Sequence, residues 1–586
     1  MTAAPHPLGT AAPLPLGTAA VIGLGTVGSA LARALARAGA AVIAVEPTAQ
    51  LLTEARARTL EGLDDPSAQI RISFSTHLDA IAGADFVLEA VPERFELKTE
   101  LLRRADQLCG PDTVFATTTA RSVTQVAAAG GRLPRTVGLH PVGHAPAGGA
   151  IEVVTTPVTE PAVRAFAEQL VTALGRTPIV GCDRPGFIGL GLLMTYLNGA
   201  IGLYERRYAS REDIDAAMTL GCGLPLGPLA QLDLIGLDTV LDTLTGLHEL
   251  TGEARFLPPP LLEHMVTAGL LGVKSGRGFH HYPAATATGS TAPGTAPGGT
   301  AVVPRPVRRV GIIGSGTMAT GIAEVFARSG FDTVLVARTE VRAKTALDRV
   351  AASLERGTKR GKITAEAARD ALERLTGAED FAAVADCDLV VEAVAEELPV
   401  KREVFRRLDQ VCRPGALLST TTSSLPVVEC AAVTSRPESV LGLHFFNPAP
   451  VMRLVEVVGT VLTADDALAT AHQLCARLGK HPVTISDRAG FIVNTLLFPY
   501  LNAAVRLLEE HRATPEQIDT LITAGCGYPM GPLTLLDAIG LDVSLQIQHS
   551  LHTAFRDPAL APARPLEQLV GVGHLGRKTG RGFHSY

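Results

Sequence analysis

The chain has 586 residues, 46% of them hydrophobic and 19% charged, with a net charge of −6. This is a globular balance with apolar material for several cores, about four domains at ~150 residues each, and it excludes a surface built as a whole to hold nucleic acid or an anionic membrane. Eight scattered cysteines, none in a CxxC or Cys/His spacing, exclude a disulfide scaffold and a cysteine-based metal site, so no metal is expected.

Residues 1–17 lack a basic leader region, and Pro and Gly break their apolar run, so they read as a disordered N-terminus rather than a signal peptide. Arg33 and Arg37 interrupt the best early apolar stretch, and no membrane span is expected; a soluble, cytoplasmic protein is. At Ala20 begins AVIGLGTVGSALARALARAGAAVIAVEPT, an apolar strand, a glycine loop (Gly23, Gly25, Gly28), a helix and a second strand ending at Glu46. The first glycine permits a tight turn, the second lets a pyrophosphate approach the backbone, and the third position must be small for helix–strand packing. Strand–helix alternation continues through ADFVLEAVPERFELKTE from Ala84 to about residue 182, predicting a parallel, doubly wound sheet over 18–182. From 183 to 282 helical periodicity takes over. Residues 283–306, rich in Gly, Ala, Pro, Ser and Thr, read as a flexible linker.

Beyond this linker the chain repeats its first half. GIIGSGTMATGIAEVFARSGFDTVLVART from Gly311 aligns with the first glycine-loop segment at an offset of 291, and CDLVVEAVAEELPVKRE from Cys387 aligns with its counterpart at 303. From His140 and His444 onward the offset is 304, and GCGLPLGPLAQLDLIGLD and GCGYPMGPLTLLDAIGLD share 13 of 18 residues. The chain is therefore a tandem duplication. A Rossmann-type domain is expected at 307–486 and a helical domain at 487–586, where Thr514 and Pro515 make an N-cap and first-turn pair.

The second glycine loop is GSGTMA (Gly314, Ser315, Gly316, Thr317, Met318, Ala319). Where the first copy has Glu46, a carboxylate able to accept from a ribose 2′-hydroxyl, the second has Ala337 followed by Arg338. Loss of the carboxylate removes repulsion against a 2′-phosphate and a guanidinium can pair with one, so NADP is favoured in the second copy and NAD in the first.

The second copy also carries TTTSSL (Thr420–Leu425), GLHFFNPAPVMRLVEVV (Gly442–Val458) and DRAGFIVNTLLFPYLN (Asp487–Asn502), and it ends on KTGRGF. In these motifs it resembles the 3-hydroxyacyl-CoA dehydrogenase family, which includes 3-hydroxybutyryl-CoA dehydrogenases, over nearly its whole length. The resemblance implies a Rossmann domain plus a helical domain acting on acyl-CoA thioesters, in the chemistry of fatty acid β-oxidation. It implies His444 as catalytic base, Glu456 as the carboxylate that orients it, and Ser423 and Asn494 as hydrogen-bonding groups for the substrate's reacting oxygens. Glu396 and Lys401 match residues near the nicotinamide, and Lys359, Arg360 and Lys362 match a helical hairpin that receives CoA. Histidine suits the proton step, its titration lying near working pH, and a carboxylate behind it fixes the tautomer, as the acid does in a triad.

The first copy keeps His140 and Glu152 at the same spacing but has Ala120 opposite Ser423, Gly143 opposite Asn447 and Leu190 opposite Asn494, and it lacks twelve residues in the hairpin. It reads as a degenerate copy with its dyad retained. Two other readings stand beside this: a dehydrogenase of small β-hydroxy acids on the same architecture, and, for the first copy, a non-catalytic dinucleotide-binding and dimerisation module. Because family subunits pair through their helical domains and a linker of about 24 residues holds a partner at roughly millimolar effective concentration, an intramolecular pseudo-dimer is expected.

Overall fold

The computed structural model describes residues 14, 16–143, 149–282 and 302–586. The expected disordered N-terminus and linker lie for the most part outside the described residues. Arg305, at the end of the expected linker, is described. Its guanidinium pairs with Asp466 at 2.8 Å and its N–H donates to Thr470 Oγ1 at 2.8 Å, tying the chain to the second copy's Asp465–Arg477 helix.

Each copy opens on an eight-stranded sheet. The first comprises β1 (Thr18–Ile22), β2 (Ala41–Val45), β3 (Ile72–Ser75), β4 (Phe86–Glu89), β5 (Val114–Thr117), β6 (Thr136–Pro141), β7 (Ala150–Thr155) and β8 (Thr177–Cys182), in the order β3-β2-β1-β4-β5-β6-β7-β8. The second repeats it with β9 (Arg309–Ile313), β10 (Asp332–Val336), β11 (Leu375–Ala378), β12 (Leu389–Glu392), β13 (Leu417–Thr420), β14 (Val440–Phe445), β15 (Leu454–Gly459) and β16 (His481–Ser486). Neighbouring strands are parallel except β6–β7 and β14–β15. Strands such as FVLE and LVVE are buried along their whole length, as a parallel sheet covered by helices on both faces requires. The doubly wound sheet read from the alternation is the one observed.

The antiparallel pair in each sheet converts the twelve-residue spacing into contact. It sets His140 opposite Glu152 and His444 opposite Glu456. The twelve residues absent from the first copy are also located. Between β10 and β11 stand helices of 20 and 9 residues (Glu340–Lys359 and Ala365–Glu373), whereas β2 and β3 are joined by helices of 12 and 5 (Ala49–Leu60 and Pro66–Ile70).

The helical domains begin with Gly189–Glu205 and Val493–Glu509 and continue with Arg211–Cys222 and Pro515–Cys526. Thr514 closes a capping box with Gln517, with Pro515 in the first turn, the start that the sequence signals. One apolar core runs through both domains, including Leu197, Ile201, Leu496 and Leu501. Gly189–Glu205 lies against Val493–Glu509, with the Tyr196 and Tyr500 rings 6.2 Å apart. Arg211–Cys222 packs on β15 and, reciprocally, Pro515–Cys526 on β7. Tyr528 donates its hydroxyl to Gln231 Oε1 at 3.2 Å across the same boundary. The residues 304 positions away from these two are Leu224 and Leu535.

Candidate active site

His444 Nδ1 and Glu456 Oε2 stand 2.6 Å apart across the β14–β15 hairpin. Glu456 is fully buried and His444 is 7% exposed. A buried carboxylate needs donors, and Glu456 has them: Ile492 and Val493 N–H, where the Val493–Glu509 helix begins, both donate to Oε1, at 3.0 and 3.1 Å. Both helix-start donors fall on one oxygen, and Oε2 meets the imidazole. Phe446 and Phe491 flank the ring, at 4.5 and 5.5 Å between centroids. With Nδ1 bonded to a carboxylate, Nε2 is the nitrogen available to take a proton.

The first copy differs in the same few atoms. Ile188 N–H donates to Glu152 Oε1 at 2.8 Å and Gly189 N–H to Oε2 at 3.1 Å, so the helix start divides its two donors between the oxygens. His140 turns to the Thr119 carbonyl oxygen through Nε2. The dyad expected as retained is thus a pair of facing residues without the hydrogen bond. The groups behave accordingly: burial pulls His140 down to about 4, the Thr119 contact opposing only part of this, and burial pushes Glu152 up to about 7 against its two backbone donors.

Beside each hairpin lies a buried ionic cluster. Lys401 Nζ meets Glu392 Oε1 at 2.9 Å and Glu396 Oε2 at 3.2 Å. Burial alone would depress this lysine, but the two carboxylates hold it above its ordinary range. Burial raises Glu396, and Lys401 with donors from Thr422 and Ser423 more than reverses that. Ser423 N–H donates to Glu396 Oε1 at 2.8 Å, and Asn494 Nδ2 donates to the Ser423 carbonyl at 3.2 Å. The structure therefore links Ser423, Asn494, Glu396 and Lys401 in one network bridging the two domains. Removing Lys401 would leave the fully buried Glu392 without its counter-ion, costing about 3–5 kcal/mol. Glu392 was missed from sequence. Its signal was present: a carboxylate at the end of a buried strand, repeated as Glu89, which meets Lys98 at 2.8 Å.

The glycine loops fit a dinucleotide. Gly314 has φ +134°, and a Cβ there would stand 2.4 Å from Ala393 O, whereas Gly316 faces open space at the N-terminus of the Thr317–Arg328 helix, whose first turn carries no acid. Gly23 and Gly25 repeat this ahead of Thr26–Arg37, with Gly28 and Ala319 buried in the first turns. Ser315 exposes its carbonyl oxygen to Arg349 Nη1 at 3.4 Å, and Thr317 and Met318 open the helix. Glu46 Oε1 accepts from Leu24 N–H at 2.5 Å, placing the carboxylate at the loop, while Arg338 is exposed just beyond β10. Lys359, Arg360 and Lys362 are exposed at the tip of the 20-residue helix, Lys359 pairing with Glu355 at 2.7 Å.

The 3-hydroxyacyl-CoA dehydrogenase NAD binding domain model matches residues 18–184 and 309–488, and the corresponding C-terminal domain model matches 186–282 and 490–586. A 3-hydroxybutyryl-CoA dehydrogenase of Mycobacterium tuberculosis is 43% identical over 282 residues, 48% of this chain and 99% of that protein. The mitochondrial hydroxyacyl-coenzyme A dehydrogenase of Rattus norvegicus is 41% identical over 287 residues, 48% of this chain and 91% of its own length. The crystal structure of an Escherichia coli 3-hydroxybutyryl-CoA dehydrogenase overlaps 96% of this chain and 100% of its own with a TM-score of 0.63 at 23% identity, a likeness of fold.

Proposed function

The chain belongs to the 3-hydroxyacyl-CoA dehydrogenase family, and on that premise we propose that its second copy interconverts 3-hydroxyacyl-CoA and 3-ketoacyl-CoA while its first copy does not turn over. The observation that carries this is the His444–Glu456 hydrogen bond, set against His140, which bonds the Thr119 carbonyl in place of Glu152. A bound nicotinamide dinucleotide supplies the hydride acceptor or donor. His444 Nε2 takes the proton from the C3 hydroxyl during oxidation and returns it during reduction. Glu456 holds the ring in that tautomer and balances the charge that forms on it. Ser423 and Asn494, whose bond to each other across the two domains supports a shared role, hydrogen-bond the reacting oxygens in this reading. Glu396 and Lys401 fix the loop carrying Ser423 from the dinucleotide side.

Three finer assignments belong to the same reading. The absence of a carboxylate at Ala337 and the exposed Arg338 support NADP in the second copy, as Glu46 supports NAD in the first. The exposed cations of the longer hairpin support CoA binding there. The shared apolar core and the reciprocal packing of Arg211–Cys222 and Pro515–Cys526 support an intramolecular pseudo-dimer. No helix among the described residues is long and apolar enough to cross a membrane, and we place the enzyme in the cytoplasm.

The test is reduction of acetoacetyl-CoA by the purified full chain with NADH and with NADPH, against free acetoacetate as control. Turnover of the thioester is expected, and its absence with every acyl-CoA tried would overturn the assignment. For the pseudo-dimer, residues 307–586 alone should self-associate or aggregate; a stable, fully active monomer would refute it.

A further inference from the structure

Tyr208 belongs to the first copy, yet its hydroxyl and its ring both engage the second. The hydroxyl donates to the carbonyl oxygen of Ser486 at 2.9 Å, and the Arg488 guanidinium lies over the ring, 5.3 Å from the centroid. Ser486 closes β16, and the next seven residues lead from the sheet domain to the helical domain. Within them Asp487 accepts from Val427 and Val428 N–H at 3.0 and 2.7 Å, fixing the segment beyond Ser423, and Ile492 and Val493 deliver both their N–H groups to one oxygen of Glu456. Glu456 is close enough that its charge adds to burial in holding the phenol above its ordinary range.

The position related to Tyr208 by the 304-residue offset is Arg512. It crosses the other way, donating to the Pro185 carbonyl at 3.2 Å and to that of Phe187. Its two bonds grip the segment directly ahead of the Gly189–Glu205 helix, and in that copy the helix start spends one N–H on each oxygen of Glu152. The two hinges thus differ in the side chain that holds them from outside, and in whether the two helix-start N–H groups meet one carboxylate oxygen or are shared between both.

We propose that Tyr208 is a positioning residue of the second copy's active site: by holding Ser486 and Arg488 it sets the helix start so that both N–H groups fall on Glu456 Oε1, leaving Oε2 for His444. The first copy is then retained in part because it supplies this contact. The proposal rests on the second copy being the working one, and the unaltered chain's turnover tests that separately.

In the full-length protein Tyr208→Phe should lower kcat for acetoacetyl-CoA reduction by about tenfold with both KM values within twofold, since a misplacement of about 1 Å costs about a hundredfold and a smaller one correspondingly less. Hydride transfer should become more fully rate-limiting, so the isotope effect with dinucleotide deuterated at the transferred position should rise. Tyr208→Arg, which copies the first-copy arrangement, should lower kcat further, and Arg512→Gln should leave kcat unchanged. If kcat and the isotope effect of Tyr208→Phe match the parent, or if any loss accompanies a fall in melting temperature with the isotope effect unmoved, the proposal fails.

Discussion

The two copies place a histidine opposite a glutamate on the same hairpin of the same sheet, and only one of them makes the bond. In the second copy the helix N-terminus uses a single carboxylate oxygen; in the first it uses both, and the imidazole turns to a backbone carbonyl. Keeping residue identities through a duplication therefore does not keep the interaction between them. The two carboxylates meet the same pair of helix-start amides in different ways, and the imidazole follows the carboxylate in one copy and leaves it in the other.

Deleting each histidine in turn puts this contrast under the greatest strain. His444→Ala should cost ~10²–10⁴ in kcat/KM for acyl-CoA, and Glu456→Gln a similar loss, while His140→Ala should leave turnover within about twofold. Equal damage from the two histidine variants would end the description of the first copy as idle.

Titration provides the next largest contrast. His140 stays neutral in the folded chain down to about pH 4, whereas an unfolded chain takes up that proton as the pH drops through 6.5. Stability is therefore lost as pH falls from 6.5 towards 4, by up to about 3 kcal/mol. Glu152, pushed up to about 7, acts in the opposite sense, its folded form holding a proton that the unfolded chain has released, so that it costs stability as pH rises from 4.5 to 7. His140→Gln should flatten the acid side of a melting-temperature profile and Glu152→Gln the neutral side; unchanged profiles would mean that neither group is held as described.

The smallest of the three effects concerns the dinucleotide. Ala337→Asp restores a carboxylate at the end of β10 and should shift the NADPH/NADH preference of turnover by about tenfold towards NADH, ~1.4 kcal/mol. A parent enzyme that already turns over NADH as well as NADPH would remove the contrast between Glu46 and Arg338.

Much of this was legible in the residues themselves. Glycine loops after apolar strands, strand–helix alternation and the repeat gave the sheets and the helical domains, because each rests on local periodicity and on residue types with few conformational alternatives. His444, Glu456, Ser423 and Asn494 could be nominated by motif, and the hairpin register brings the first two together. The broken dyad could not be read: His140 and Glu152 look intact along the sequence, and the Gly189–Glu205 helix starts at the position equivalent to Val493, so the copies differ only in how the helix start meets the carboxylate. That start is held by Arg512, more than 300 residues further along the chain. Glu392 was overlooked for a different reason, since a carboxylate ending a buried strand looks like a strand cap until a lysine nine residues on folds back to it.

The Tyr528–Gln231 bond has a consequence for which molecules can pair at all. If two second copies met through the same faces, each Tyr528 hydroxyl would face a leucine, Leu535 of the other molecule, and two first copies would set Leu224 against Gln231. A buried hydroxyl or amide left without a partner costs about 1–3 kcal/mol, so like-with-like association is penalised twice while the mixed pairing satisfies both groups. At this contact the halves are not interchangeable: each lacks the partner that the other supplies.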